Sequence, residues 1–102
     1  MNGKVTLEAF VAQPPTSKCQ QVIAAMEEIV RRYPEQARLV VFGRGVPWTE
    51  TPSPVVRAMV HKGGIVPACA VAGQFVTVGQ VPTVADLEAR LLRALEQQST
   101  GE

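Results

Sequence analysis

Residues 5–19 read Val-Thr-Leu-Glu-Ala-Phe-Val-Ala-Gln-Pro-Pro-Thr-Ser-Lys-Cys, and the reading of this stretch decides the fold. Val5, Leu7, Ala9 and Val11 alternate with Thr6, Glu8 and Phe10, the two-residue period of a strand over about residues 4–12. Pro14-Pro15 ends it, because proline supplies no N–H to a ladder. Thr16 or Ser17 then caps a helix in which Cys19, Val22, Ile23, Met26, Ile29, Val30 and Tyr33 recur at three- and four-residue intervals. A strand passing through a short proline loop into an amphipathic helix is the first half of a βαβ unit.

Working outward, Glu27, Glu28, Arg31 and Arg32 form the solvated face of that helix and Pro34 stops it. Ala37 to Phe42 is a short apolar run of the kind found in buried parallel strands, ended by Gly43-Arg44-Gly45. Those glycines read as a turn, since they lack the Lys-Ser/Thr ending and the following helix of a phosphate loop. Val46 to Pro52 has no periodicity and holds the only tryptophan, Trp48, either as an exposed binding aromatic or as a lid over the core edge. Ser53-Pro54 opens a short helix striped by Val55, Val56, Met59 and Val60 and closed by Gly63-Gly64. His61 near its end has no second ligand in sequence and reads as an exposed helix-end histidine rather than a metal ligand. Ile65 to Ala72 and Phe75 to Val78 form a hairpin, and Thr83 with Asp86 caps a last helix striped by Val84, Leu87, Leu91, Leu92 and Leu95.

The order is therefore βαβαββα. A right-handed βαβ crossover followed by an antiparallel hairpin gives an α/β fold: a four-stranded mixed sheet with helices on both faces. One domain is expected over residues 1–96, with a polar tail at 97–102.

Composition limits the function. At 102 residues the chain fits one core, and ten Lys/Arg against nine Asp/Glu give a formal charge of +1. That balance offers no electrostatic pull toward nucleic acid or an anionic membrane, and no apolar run approaches the roughly 18 residues of a bilayer span. The start, Met1-Asn2-Gly3-Lys4, shows no export signal, so a soluble cytoplasmic protein is expected. Two cysteines, Cys19 and Cys69, make neither a disulfide framework nor a metal cluster, and no motif calls for a cofactor. Cys69 sits in an apolar strand as a core residue. Cys19, in the first turn of a helix beside Lys18, is either a half-buried packing residue or a thiol biased toward thiolate.

Over roughly residues 4–96 the chain resembles the thioredoxin-like family. Three segments carry the resemblance: Phe10-Val11-Ala12 leading to Thr16-Ser17-Lys18-Cys19 and Tyr33, Val66-Pro67 opening the third strand, and Ala72-Gly73-Gln74-Phe75-Val76 with Val78-Gly79. The resemblance implies a degenerate Cys-x-x-Cys motif, with Thr16 in place of the first cysteine and Cys19 as the second. It implies a cis-proline at Pro67 facing that motif. Pro15 stands where the family has a tryptophan, and Ala9, with Glu8 adjacent, stands where it has a buried acid. Two-thiol exchange needs an attacking and a resolving sulfur, so the enzyme this implies is at most a one-cysteine thiol-disulfide oxidoreductase. Thr16 and Cys19 are its candidate catalytic residues. Ser17, Lys18, Trp48, Val66 and Pro67 are the candidate binding residues, because family members meet protein partners there.

Two further resemblances remain. Thr-x-x-Cys is similar to the peroxiredoxin pattern, in which a Thr hydroxyl bonds the reactive sulfur, although the accompanying proline would fall at Ala12. The segment from Ser53 to Thr83 looks like the arsenical-resistance metallochaperones, which implies metal or metalloid handling. Those proteins gather several cysteines in the first loop, where this chain has only Cys19. A non-catalytic structural module is the remaining alternative. A protein partner is expected, with the oligomeric state left open.

Overall fold

The computed structural model describes residues 3–100. Strand β1 (Val5–Val11) leads to helix α1 (Ser17–Arg32), strand β2 (Ala37–Gly43), helix α2 (Pro54–His61), the hairpin β3 (Ala68–Val71) and β4 (Gln74–Val78), and helix α3 (Val84–Thr100). The sheet order is β2-β1-β3-β4, with β1 parallel to β2 and antiparallel to β3. The α/β class, the order of elements and the mixed four-stranded sheet agree with the sequence reading.

The alternation in β1 sorts its side chains into two cores. Val5, Leu7, Ala9 and Val11 join Cys19, Val22, Met26 and Ile29 of α1 and Leu87, Leu91 and Ala94 of α3 in the larger core. Phe10 turns to the other face and packs with Phe42 and Ala68 beneath Met59 and Val60 of α2. The pattern of β1 suggests one apolar and one mixed face, yet Glu8 and Phe10 are as buried as their neighbours. The segment before α2 closes over them. Trp48 sets its ring edge-on to Phe10 (centroids 6.3 Å) and Phe42 (5.2 Å) and donates from Nε1 to the Gly43 carbonyl at 2.9 Å. Of the two readings of Trp48, the structure selects the lid.

Boundaries shift for local reasons. The third strand begins at Ala68 rather than Ile65, because Pro67 has no N–H to give a ladder. Its carbonyl still serves the hairpin, accepting from Gly79 N–H at 2.6 Å. Ala72 (φ 53°) and Gly73 (φ 80°) make the reversal, and positive φ at both central residues suits a two-residue turn matched to strand twist. Helix α3 runs through Gln97 and Gln98 to Thr100, past the start of the expected polar tail. Both glutamines are good helix formers, and Gln98 Nε2 reaches the Gly3 carbonyl at 3.3 Å. Gly101 and Glu102 of that tail lie outside the described residues, as do Met1 and Asn2 at the start of the segment read as lacking an export signal. Among the described residues no helix is long and apolar enough to cross a membrane.

Candidate thiol site

Thr16 is the N-cap of α1, and its Oγ1 accepts from the Cys19 N–H at 3.2 Å. An N-cap hydroxyl satisfies one of the unpaired donors of the first turn, which explains why Thr16 rather than Ser17 is the cap and Ser17 the first helical residue. The same hydroxyl donates to the Cys19 Sγ at 3.1 Å. The Ala12 N–H, just past the end of β1, points at the sulfur from the other side at 3.4 Å. Cys19 is thus clamped between strand end and helix cap.

Its side chain is fully buried, at 0% relative exposure, whereas Thr16, Ser17 and Lys18 are exposed. Burial pushes the Cys19 thiol up, but the Thr16 hydroxyl and the main-chain N–H groups around the sulfur outweigh it and hold the thiol below its ordinary value. The α1 N-terminus favours negative charge in the same sense. The site is therefore a stabilised sulfur under an exposed polar turn.

Val66 and Pro67 sit next to that turn. The antiparallel register pairs Phe10 with Ala68, so two further steps along each strand bring Ala12 alongside Val66. Val66 is half-buried against the core that contains Cys19, Pro67 is buried, and Ile65 stands 56% exposed beside them. The peptide bonds preceding Pro14 and Pro67 are both cis. Sequence reasoning missed Ile65 as part of this surface. The apolar run places Ile65 in the first strand of the hairpin, which in the structure starts three residues later, at Ala68.

Of the sequence-derived candidates, the structure brings together Thr16, Ser17, Lys18, Cys19, Val66 and Pro67 and separates Trp48 from the Thr16–Cys19 turn, while Val66 packs against both the larger core and the smaller one that holds Trp48. Trp48 belongs to the core on the opposite face of the sheet. Glu8, adjacent to the position where the resemblance implies a buried acid, also faces away from Cys19 and bonds Ser53 on the far side. Ala9 does face the larger core but carries no acid.

The second thiol is independent of the first. Cys69, 1% exposed, makes a 3.1 Å contact with Thr77 Oγ1, whose proton is committed to the Gln80 carbonyl at 3.0 Å. The S–H is then the donor, and burial pushes this thiol above its ordinary value. Both cysteines are free. Among the described residues no group of three or more His, Cys, Asp or Glu could hold a metal ion.

With this geometry in place, comparison with known proteins adds one finding. The solved structure of thioredoxin-2, described as a component of the malaria parasite protein secretion machinery, superposes with a TM-score of 0.62. The fold is thioredoxin-like. The match covers 91% of this chain and 85% of that one at 14% sequence identity, so the thioredoxin-like architecture is shared with little sequence in common. No protein-family model and no curated protein matches the chain.

Proposed function

We propose that this thioredoxin-fold protein binds a polypeptide partner across the turn Thr16-Ser17-Lys18 and the adjoining Ile65-Val66-Pro67. The observation that carries the reading is the pairing of an exposed polar turn with Ile65 at 56% exposure beside half-buried Val66. Ile65 and the partly exposed Val66 together offer an apolar contact beside a polar turn, the combination of apolar centre and polar rim that a peptide partner would use. Nuclear magnetic resonance titration with a panel of extended peptides tests it. Shifts confined to residues 12–19 and 64–68, lost on Ile65→Asp, are expected; no shifts there with any peptide would overturn the reading.

A second reading rests on a separate observation, the two hydrogen bonds into the Cys19 sulfur. In it Cys19 is a single redox thiol that attacks a disulfide as thiolate, forming a mixed disulfide and expelling the other sulfur as the leaving thiolate. The complete burial of Cys19 means the turn must open before a protein disulfide can reach it. Partner binding and thiol exchange separate cleanly: Cys19→Ser removes the exchange and leaves the peptide titration intact. Either activity is compatible with the cytoplasm.

A further inference from the structure

Strand β2 is an edge of the sheet, and its outward main-chain groups can be enumerated. Val5 N–H donates to the Gln36 carbonyl (2.7 Å) and Arg44 N–H to the Val11 carbonyl (2.8 Å), at the two ends of an unbroken parallel register. Strand alternation therefore turns the main-chain groups of even-numbered residues 36–44 toward β1, and those of Ala37, Leu39, Val41 and Gly43 outward. Two outward groups are satisfied within the chain: Ala37 N–H donates to the Tyr33 carbonyl (2.9 Å), and the Gly43 carbonyl accepts from Trp48 Nε1 (2.9 Å). Among the described residues no hydrogen bond reaches the rest, which are both groups of Leu39, both groups of Val41, the Ala37 carbonyl and the Gly43 N–H. The edge Ala37–Gly43 carries no lysine, proline or bulge, and its one charged side chain, Arg38, is engaged within its own chain by the Thr6 hydroxyl (3.0 Å) and Glu50 (2.9 Å), so the strand remains a template for another.

We propose that β2 pairs antiparallel with β2 of a second copy of this chain, about a two-fold axis through Val40, to make a dimer with one continuous sheet. In this register Leu39 of one copy and Val41 of the other exchange both hydrogen bonds, and Gly43 N–H meets the Ala37 carbonyl. Every free outward group is paired. The two groups already in use, Ala37 N–H and the Gly43 carbonyl, fall opposite each other. Shifting the axis to Leu39 or to Val41 sets a used group against a free one, so the pattern of free groups selects this register over its neighbours.

The side chains agree. Val41, 42% exposed, lies against Leu39 of the second copy on the α1 face, and Val40 lies against Val40 on the other face. Such β-branched and aliphatic cross-strand pairs stabilise antiparallel ladders. With a formal charge of +1 per chain, collective repulsion between copies is slight. At the other edge of the sheet, a register irregularity in the β3–β4 ladder disturbs the regular edge, which favours a closed pair over a growing stack.

Sedimentation velocity of the full chain over a wide micromolar range tests the proposal, together with amide hydrogen exchange. A concentration-dependent monomer–dimer equilibrium is expected, with the amides of Leu39, Val41 and Gly43 gaining protection as dimer forms. Val41→Pro removes an outward N–H without taking a bond from the β1–β2 ladder and should weaken the dimer by at least about tenfold. If that variant fails to fold by circular dichroism, Val41→Lys, at an exposed position, supplies the same reading. A wild-type chain that stays monomeric with these amides unprotected overturns the proposal, as does a dimer that survives both substitutions.

Discussion

Glu8 and Ser53 are joined by two hydrogen bonds: the Ser53 N–H donates to Oε2 at 2.7 Å and its hydroxyl to Oε1 at 2.6 Å. Ser53 is the N-cap of α2 yet makes no side-chain bond to its own helix, so a carboxylate from β1 takes over the end of that helix. With Glu8 only 4% exposed, the pair fastens the start of α2 to the centre of the sheet.

The first prediction follows from that pair. Glu8→Gln keeps the shape but replaces a charged acceptor by a neutral amide whose NH2 fits only if the Ser53 hydroxyl turns from donor to acceptor, and should cost about 1–3 kcal/mol. In a domain of this size that lowers Tm by roughly 4–20 °C. Thermal denaturation followed by circular dichroism measures it, and Glu8→Ala should lose at least as much.

Gly64 gives a second. Its φ is +71°, and a Cβ there would stand 2.6 Å from Phe10 Cε2. Gly64→Ala combines a disfavoured backbone with a clash against a buried ring and should destabilise by about 2–4 kcal/mol. Gly63, with φ +103° but nothing within 4 Å, should lose less on the same change. Chemical denaturation of the two variants side by side decides it.

Thr16 carries a third. Its hydroxyl both caps α1 and donates to the Cys19 sulfur, so Thr16→Val should cost about 1 kcal/mol and raise the thiol toward its ordinary value, while Thr16→Ser preserves both. Because the folded state favours the thiolate, Cys19 adds stability as pH rises through its lowered folded pKa, fully present above the unfolded value of about 8.5 and lost again as pH falls. Thiolate absorbance near 240 nm, roughly the range where thiols do not absorb, follows the ionisation without needing access to the sulfur.

Cys69 should behave in the opposite sense. Burial disfavours its thiolate, so its contribution falls as pH climbs past about 8.5, and in Cys19→Ser the remaining thiol should ionise only late. Mass-spectrometric alkylation should find Cys69 unreactive until the protein unfolds. Ready labelling of native Cys69 would contradict its place in the core.

Much of the architecture could be read from the chain because it depends on local periodicity. The alternation from Val5 to Val11 and the stripe from Cys19 to Ile29 each name the face that the larger core buries. The turn at Thr16 was equally legible, since capping and the first-turn cysteine are short-range features. What was hidden depends on chain segments far apart. Nothing near Glu8 announces that Ser53, 45 residues on, will claim its carboxylate. Trp48 sits in an aperiodic loop, and only its approach to Phe10 and Phe42 assigns it to the core and away from the thiol. The open edge of β2 is likewise a property of sheet order, which the apolar run Ala37 to Phe42 does not encode.

The brevity of α2 has a consequence for the shape of the molecule. Eight residues of helix extend about 12 Å, while the seven residues of β1 beneath extend about 23 Å. Near Phe10, Phe42 and Trp48 the protein is therefore three layers thick. Toward Thr6 and Arg38 it thins to two, and the bare sheet floors a cleft of about 600 Å³. The same strand is dry on both sides at one end and wet on one side at the other. Substitutions along β1 should therefore be tolerated according to distance along the strand as well as parity: replacing Thr6 loses a hydrogen bond from Arg38 Nε at the cleft, whereas replacing Phe10, on the same face, opens a buried core.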